Sequence, residues 1–174
     1  MTLRTPRLEL VPATVAHLEA ELRGGGGLSA LLAARVPGSW PPGEYDRDAM
    51  AFFHARLREG GPEAVGWYGW YALTRDGGPA TLVGSGGFFG PPEGGAVEIG
   101  YSVVPEARGQ GFATEIVKAL VRHAFATGAV REVRARTEPA NPASSRVLLK
   151  GGFERDGRDP ETGADRYRLA GPEG

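Results

Sequence analysis

The chain has 174 residues, 20 basic and 21 acidic, a formal net charge of −1, and no cysteine. That length suits one domain with a good core and is short for two, and the near-neutral balance lacks the footprint of a nucleic-acid binder. The missing thiols exclude disulfides, a zinc–thiolate site and a cysteine nucleophile.

No apolar run approaches the length of a bilayer span, and Met1-Thr2-Leu3-Arg4-Thr5-Pro6 does not open a signal peptide, so a cytoplasmic protein with no membrane partner is expected. Leu3 to Val11 reads as a first strand. Thr14 is placed to N-cap a short helix carrying Val15, Leu18 and Leu22. Gly24 to Gly27 break the chain before an apolar helical piece from Ser29 to Arg35. The segment from Val36 to Gly43 is a loop, and Asp46 suits an N-cap for a helix with Met50, Phe53 and Leu57 on one stripe. Trp67–Arg75 and Ala80–Phe89 read as strands joined by Asp76-Gly77-Gly78-Pro79.

Ala96 to Val104 alternates Val97, Ile99, Tyr101 and Val103, the period of a strand. After it come Arg108-Gly109-Gln110-Gly111-Phe112-Ala113 and then a helical stripe of Ile116, Val117, Leu120, Val121, Ala124 and Phe125, with Gly128 at its C-terminal end. Glu132–Glu138 is another strand, Pro142–Lys150 a helix ended by Gly151-Gly152, and Phe153–Leu169 a last hairpin. The expected order is β-α-α-β-β-β-α-β-α-β-β, a mixed α/β (α+β) fold with residues 1–174 in one domain.

The glycine turn is the candidate site. It sets free backbone N–H groups at a helix N-terminus, where unpaired donors and the helix dipole favour a phosphate. Side chains at Gly109 or Gly111 would hold a phosphate away from the backbone. An ordinary strand-to-helix turn remains the alternative at this point. Other nucleotide motifs fit poorly. Gly109 and Gly111 are followed by Thr114 rather than a third glycine, no Gly-Lys-Ser/Thr occurs, and Val83 stands where a Gly-x-Ser-x-Gly elbow around Ser85 needs glycine. His17, His54 and His123 fall on separate helices without metal spacing. Trp40 and Tyr45, in or beside a loop, are candidates for substrate contact.

The element order and two motifs resemble the GNAT superfamily of acetyl-CoA-dependent N-acetyltransferases. Arg108, Gly111 and Ala113 fill the family's Gln/Arg-x-x-Gly-x-Gly/Ala positions. The run from Asn141 through Ser144 to Lys150, Gly152 and Phe153 is similar to its Asn-x-x-Ser … Lys-x-Gly-Phe block. Thr5-Pro6-Arg7-Leu8-Glu9-Leu10 and Glu98-Ile99-Gly100-Tyr101 resemble the branch of ribosomal-protein N-terminal acetyltransferases. The likeness spans most of the chain and is specific from about Ala96 to Phe153.

The resemblance implies a mostly antiparallel central sheet flanked by helices and a single N-acetyltransferase domain. It implies acetyl-CoA as co-substrate, with no metal. The amides of Gly109, Gln110, Gly111, Phe112 and Ala113 would hold the pyrophosphate, with Arg108 and Thr114 adding side chains. In the family the Ala96–Val104 strand splays from the Glu132–Glu138 strand, and the backbone of Val103 and Val104 would meet the pantetheine arm. Glu98 is the implied base, acting directly or through a water, with a structural carboxylate satisfied by backbone groups or an arginine as the alternative. Ser144 would contact the coenzyme and is one candidate for the general acid, because Leu148 stands where many relatives carry a tyrosine; a water, or no acid, are the others. Asn141 would face the cofactor while capping its helix. The implied reaction is direct attack of a primary amine, on a protein N-terminus or a small molecule, through a tetrahedral intermediate. A non-catalytic acyl-CoA sensor is the alternative. A homodimer is one open assembly state, and no nucleic-acid partner is implied.

Overall fold

A computed structural model describes residues 1–172. The strands are β1 (Leu3–Arg4), β2 (Leu8–Pro12), β3 (Gly69–Thr74), β4 (Leu82–Phe88), β5 (Ala96–Val103), β6 (Glu132–Thr137), β7 (Glu154–Arg158) and β8 (Asp165–Ala170). The helices are α1 (Val15–Arg23), α2 (Gly27–Leu32), α3 (Arg47–Gly60), α4 (Phe112–Ala126) and α5 (Pro142–Lys150). One sheet runs in the order β1-β2-β3-β4-β5-β6-β8-β7, antiparallel throughout except for the parallel pair β5/β6.

Two differences from the expected order have local causes. The first strand is two, because Thr5, Pro6 and Arg7 leave the sheet. Pro6 has no N–H to give a ladder, and the Thr5 hydroxyl and Arg7 N–H bond the Glu115 carboxylate at 2.6 and 3.1 Å. All three helical pieces read before β3 form, each closed in its own way, where the expected order counted two. Thr14 caps α1, Asp46 caps α3 by accepting from the Ala49 N–H at 2.9 Å, and α2 stops where Ala33 turns left-handed at φ 49°.

The sheet separates two cores. On one face α4 and α5 bury Ile116, Val117, Leu120 and Leu148 against Val97, Ile99 and Val133. On the other, α1, α2 and α3 bury Leu18, Leu32, Phe53 and Leu57 against Tyr71 and Leu73. Glycines in central β4 allow α4 to approach: a Cβ at Gly86 would lie 2.6 Å from Ile116 Cγ2. Leu148 is fully buried in the first core.

Leu148→Ala should therefore cost about 2–5 kcal/mol of unfolding free energy, as buried leucines do. Urea denaturation checks this, and a loss under 1 kcal/mol (roughly a surface value) would contradict the packing described.

Candidate active site

Parallel pairing of β5 with β6 runs from Ala96/Glu132 only to Ile99/Ala135, yet the strands continue to Val103 and Thr137. Past that point they part. On its other side β5 stays joined to β4: Gly84 faces Val103, and the Val104 N–H donates to the Val83 carbonyl at 2.9 Å. Antiparallel alternation then turns the Val103 N–H toward the gap. The Val103 carbonyl is taken by Arg108 Nε at 3.0 Å.

A cavity of about 460 Å³ occupies the parting. Its walls include Val103, Arg108, Gly109, Gly111, Phe112, Ala113, Thr114, Asn141 and Ser144, nine of the eleven residues expected at the cofactor. Gly111 is the N-cap of α4, left-handed at φ 86°, and no side chain caps the helix. The first N–H groups of α4 thus lack intrahelical partners and face an anion-favouring dipole end. Arg108, Arg146 and Lys150 line the same cavity, and no carboxylate does. Arg146 and Lys150 were not among the expected cofactor residues; their spacing of four on α5 was the signal, since it puts both on one helix face. This donor set fits a pyrophosphate.

Two expected cofactor residues stand elsewhere. Val104 is buried, with its N–H committed to Val83, so Val103 alone of the pair offers a donor to the gap. Gln110 does not line the cavity: its amide donates to the Glu106 carbonyl at 3.3 Å and its own carbonyl accepts from Arg7 at 2.7 Å.

Ser144 sits in the first turn of α5. Asn141 Oδ1 accepts its N–H at 3.1 Å, and the Tyr101 hydroxyl lies 2.8 Å from its Oγ. Glu98, the implied base, is paired with Arg136. Its two oxygens accept from Arg136 Nε and Nη2 at 3.0 and 3.2 Å, and Asp159 holds a third guanidinium nitrogen at 3.2 Å. It lines a separate groove of about 500 Å³, with Phe52, Arg56, Tyr68 and Phe89, rather than the cofactor cavity.

A small pocket of about 90 Å³ lies beside the large one and shares Tyr101 and Ser102 with it. Tyr45 lines it with Glu44, Ala49, Phe53 and Phe89. Trp40 is not among its walls but stands behind Tyr45, ring centroids 5.7 Å apart. Both are held by Glu21, which sequence reasoning missed. Glu21 accepts from Trp40 Nε1 at 2.9 Å, from the Tyr45 hydroxyl at 2.6 Å and from the Tyr71 hydroxyl at 2.5 Å. Only its place one turn beyond His17 and Leu18 on α1 could have pointed inward. Burial raises the Glu21 pKa above the ordinary glutamate value against these three hydrogen bonds, and burial, with the Glu21 charge, raises that of Tyr45.

A GNAT acetyltransferase domain model matches residues 4–154. The chain belongs to this family and is an acetyl-CoA-dependent acetyltransferase. It is 28% identical over 152 residues to the N-acetyltransferase YjdG of Bacillus subtilis (strain 168), covering 87% of this chain and 88% of that one. Its fold is similar to that of a ribosomal-protein-S5-alanine acetyltransferase of Vibrio fischeri, with TM-score 0.66 and 14% identity over 98% of this chain and 96% of that one. It is also similar to AAC(6')-Ib bound to paromomycin and acetyl-CoA, with TM-score 0.58 and 18% identity over 94% and 93% of the two chains. No group of three or more metal-ligating side chains occurs among the described residues, and no helix there is long and apolar enough to cross a membrane.

Two outcomes test this site. Gly111→Glu places a charged L-residue at φ 86° in the phosphate cradle and should abolish calorimetric binding of acetyl-CoA; unchanged affinity would remove the α4 N-terminus from the site. For Glu21, a raised folded pKa gives stability that is fully present below the unfolded value and is lost as pH rises through the folded one. The stability of the native protein relative to Glu21→Gln should therefore fall with rising pH over that window, read by urea unfolding at about pH 4 to 8. A difference that grows with pH would show that the three hydrogen bonds outweigh burial.

Proposed function

We propose that the acceptor is the α-amine of a polypeptide, acetylated by direct transfer with no acyl-enzyme. The small pocket beside the cofactor cavity carries this reading. Its walls are mainly apolar and include one carboxylate, Glu44. One carboxylate suits one ammonium beside a small apolar side chain; a polycationic amine would leave charges unmatched. Phe89, 53% exposed, lines both this pocket and the groove of about 500 Å³, which gives a following chain room to leave. The Vibrio fischeri neighbour, a ribosomal-protein-alanine acetyltransferase, supports this acceptor class, and AAC(6')-Ib marks the competing small-molecule class.

The residues divide the work. Arg108, Arg146, Lys150 and the start of α4 hold the pyrophosphate, while the Val103 N–H is the donor available to the acyl oxygen. A preorganised donor of that kind contributes about 3 kcal/mol. Bound acetyl-CoA supplies an activated acyl group on a thiol that leaves readily. The amine must attack neutral. An α-amine with a pKa of about 8 is roughly one-tenth neutral at pH 7, whereas a lysine near 10.4 is almost wholly charged. That difference matters here, because both Glu98 oxygens are engaged by Arg136 and Glu98 lines the groove rather than the small pocket.

The test mixes protein and acetyl-CoA with three probes: a peptide with a free N-terminal alanine, an Nα-blocked peptide containing lysine, and paromomycin. The expected product is the Nα-acetylated first peptide, at a rate that rises with pH up to about 8. Modification of only the lysine peptide or paromomycin would overturn the α-amine assignment.

A further inference from the structure

We infer that Tyr101 and Ser144 form a two-hydroxyl proton wire from the acceptor pocket to the cofactor cavity, delivering to the leaving sulfur the proton that the amine sheds. The inference rests on the acetyl-transfer reading above and adds a catalytic residue, Tyr101, supplied from a strand.

Placement is the first ground. Tyr101 lines both the small pocket and the large cavity, and its hydroxyl lies 2.8 Å from Ser144 Oγ. Ser144 lines only the large cavity of the two. The pair therefore spans from the side where nitrogen enters to the side where sulfur leaves. Glu44, on the acceptor side, is close enough for its charge to act on the Tyr101 phenol.

Elimination is the second ground. Leu148, one turn beyond Ser144 on α5, is fully buried and carries no proton to give. The other hydroxyls lining the cavity are Ser102, which donates to the Pro42 carbonyl at 3.2 Å, and Thr114, which sits at the phosphate end on α4.

The proton balance closes. A nitrogen–carbon bond forms, the carbon–sulfur bond breaks, and one proton must pass from nitrogen to sulfur. Tyr101 takes the proton from nitrogen and gives its own to Ser144 Oγ; Ser144 gives its own to sulfur. Each hydroxyl ends neutral, and no tyrosinate forms. Burial keeps the Tyr101 phenol protonated, which suits a shuttle that never ionises. The Tyr101 hydroxyl also has a second acceptor, the Ser144 carbonyl at 3.1 Å. Turning its hydrogen to that carbonyl frees the Ser144 hydroxyl to donate back, so the pair has two hydrogen arrangements.

The test uses Tyr101→Phe, Ser144→Ala and the double variant. The first readout needs no acceptor. Coenzyme A is titrated calorimetrically at about pH 8, near its thiol pKa, in two buffers of different ionisation heat. A hydroxyl donor facing the sulfur stabilises the thiolate, so the native protein should release a fraction of a proton that Ser144→Ala and the double variant do not. The second readout is thiol release from acetyl-CoA with the three probes above. Each single variant should lose about 10²-fold, and the double variant no more than that, because a broken wire cannot be broken twice. A native rate in Tyr101→Phe would overturn the wire, as would additive losses in the double variant. Should Tyr101→Phe fail to fold, the rate of thiol release by the native protein across mixtures of light and heavy water decides: a wire moves several protons together and bows the dependence, and a linear dependence would overturn it. Native protein that binds acetyl-CoA yet releases no thiol with any probe would overturn the proposed function and the wire together.

Discussion

Everything at this site depends on β5 and β6 ceasing to pair after Ile99 and Ala135 while both strands continue. Backbone groups inside a sheet ordinarily find partners in the next strand. Here the inner edge of β5 runs to Val103 with nothing opposite, and the cavity fills the space. The opening is maintained from both ends. At one end Arg108 reaches back to the Val103 carbonyl and fixes the loop before α4. At the other, the first turn of α5 stands beyond β6, and Ser144 bonds Tyr101 across the gap. The Val103 N–H is thus left facing the cavity, where a neighbouring strand would have stood.

The start of α4 is held equally firmly, from an unexpected quarter. Glu115, in the first turn, accepts from the Thr5 hydroxyl, the Arg7 N–H and the Arg7 guanidinium, and Arg7 also donates to the Gln110 carbonyl at 2.7 Å. The guanidinium lies 4.5 Å from the centre of the Phe112 ring. Burial works against ionisation of Glu115, but these hydrogen bonds prevail and hold its pKa below the ordinary value. The Thr5-Pro6-Arg7 segment leaves the sheet and braces the glycine turn before α4. An exposed guanidinium would add little by itself; four contacts from one short segment make a rigid mount.

Local pattern made much of this legible. Alternation at Val97, Ile99, Tyr101 and Val103 marked β5, and the Met50, Phe53 and Leu57 stripe marked the buried face of α3. Asn141 before Pro142 marked the start of α5, and the glycine turn marked the α4 end of the cavity. What stayed illegible depends on contacts distant in sequence. The Glu21 hub joins residues up to 50 positions apart, and nothing local distinguishes it from a solvated helix glutamate. The pairing of Glu98 with Arg136 spans 38 positions. Likewise, Val103 and Val104 look equivalent until register decides which N–H faces β4.

Register also divides the chemistry between the two faces of β5. Val97, Ile99 and Val103 join the core beneath α4, and Tyr101 packs against it from the same face. Glu98, Gly100 and Ser102 alternate onto the opposite face, where Gly100 lies under Phe89 and Ser102 meets the Pro42 carbonyl. One strand therefore turns alternate residues toward the core beneath α4 and toward the opposite face, with no added structure. A bulky residue at Gly100 would close the acceptor side, since even a Cβ there would come within 3.1 Å of the Phe89 ring. This arrangement also accounts for how the helix position held by Leu148 can be apolar. A hydroxyl at position 148 would have to reach the gap from within the core, whereas Tyr101 on β5 already lines both cavities. Leu148 is left to seal the core beneath it.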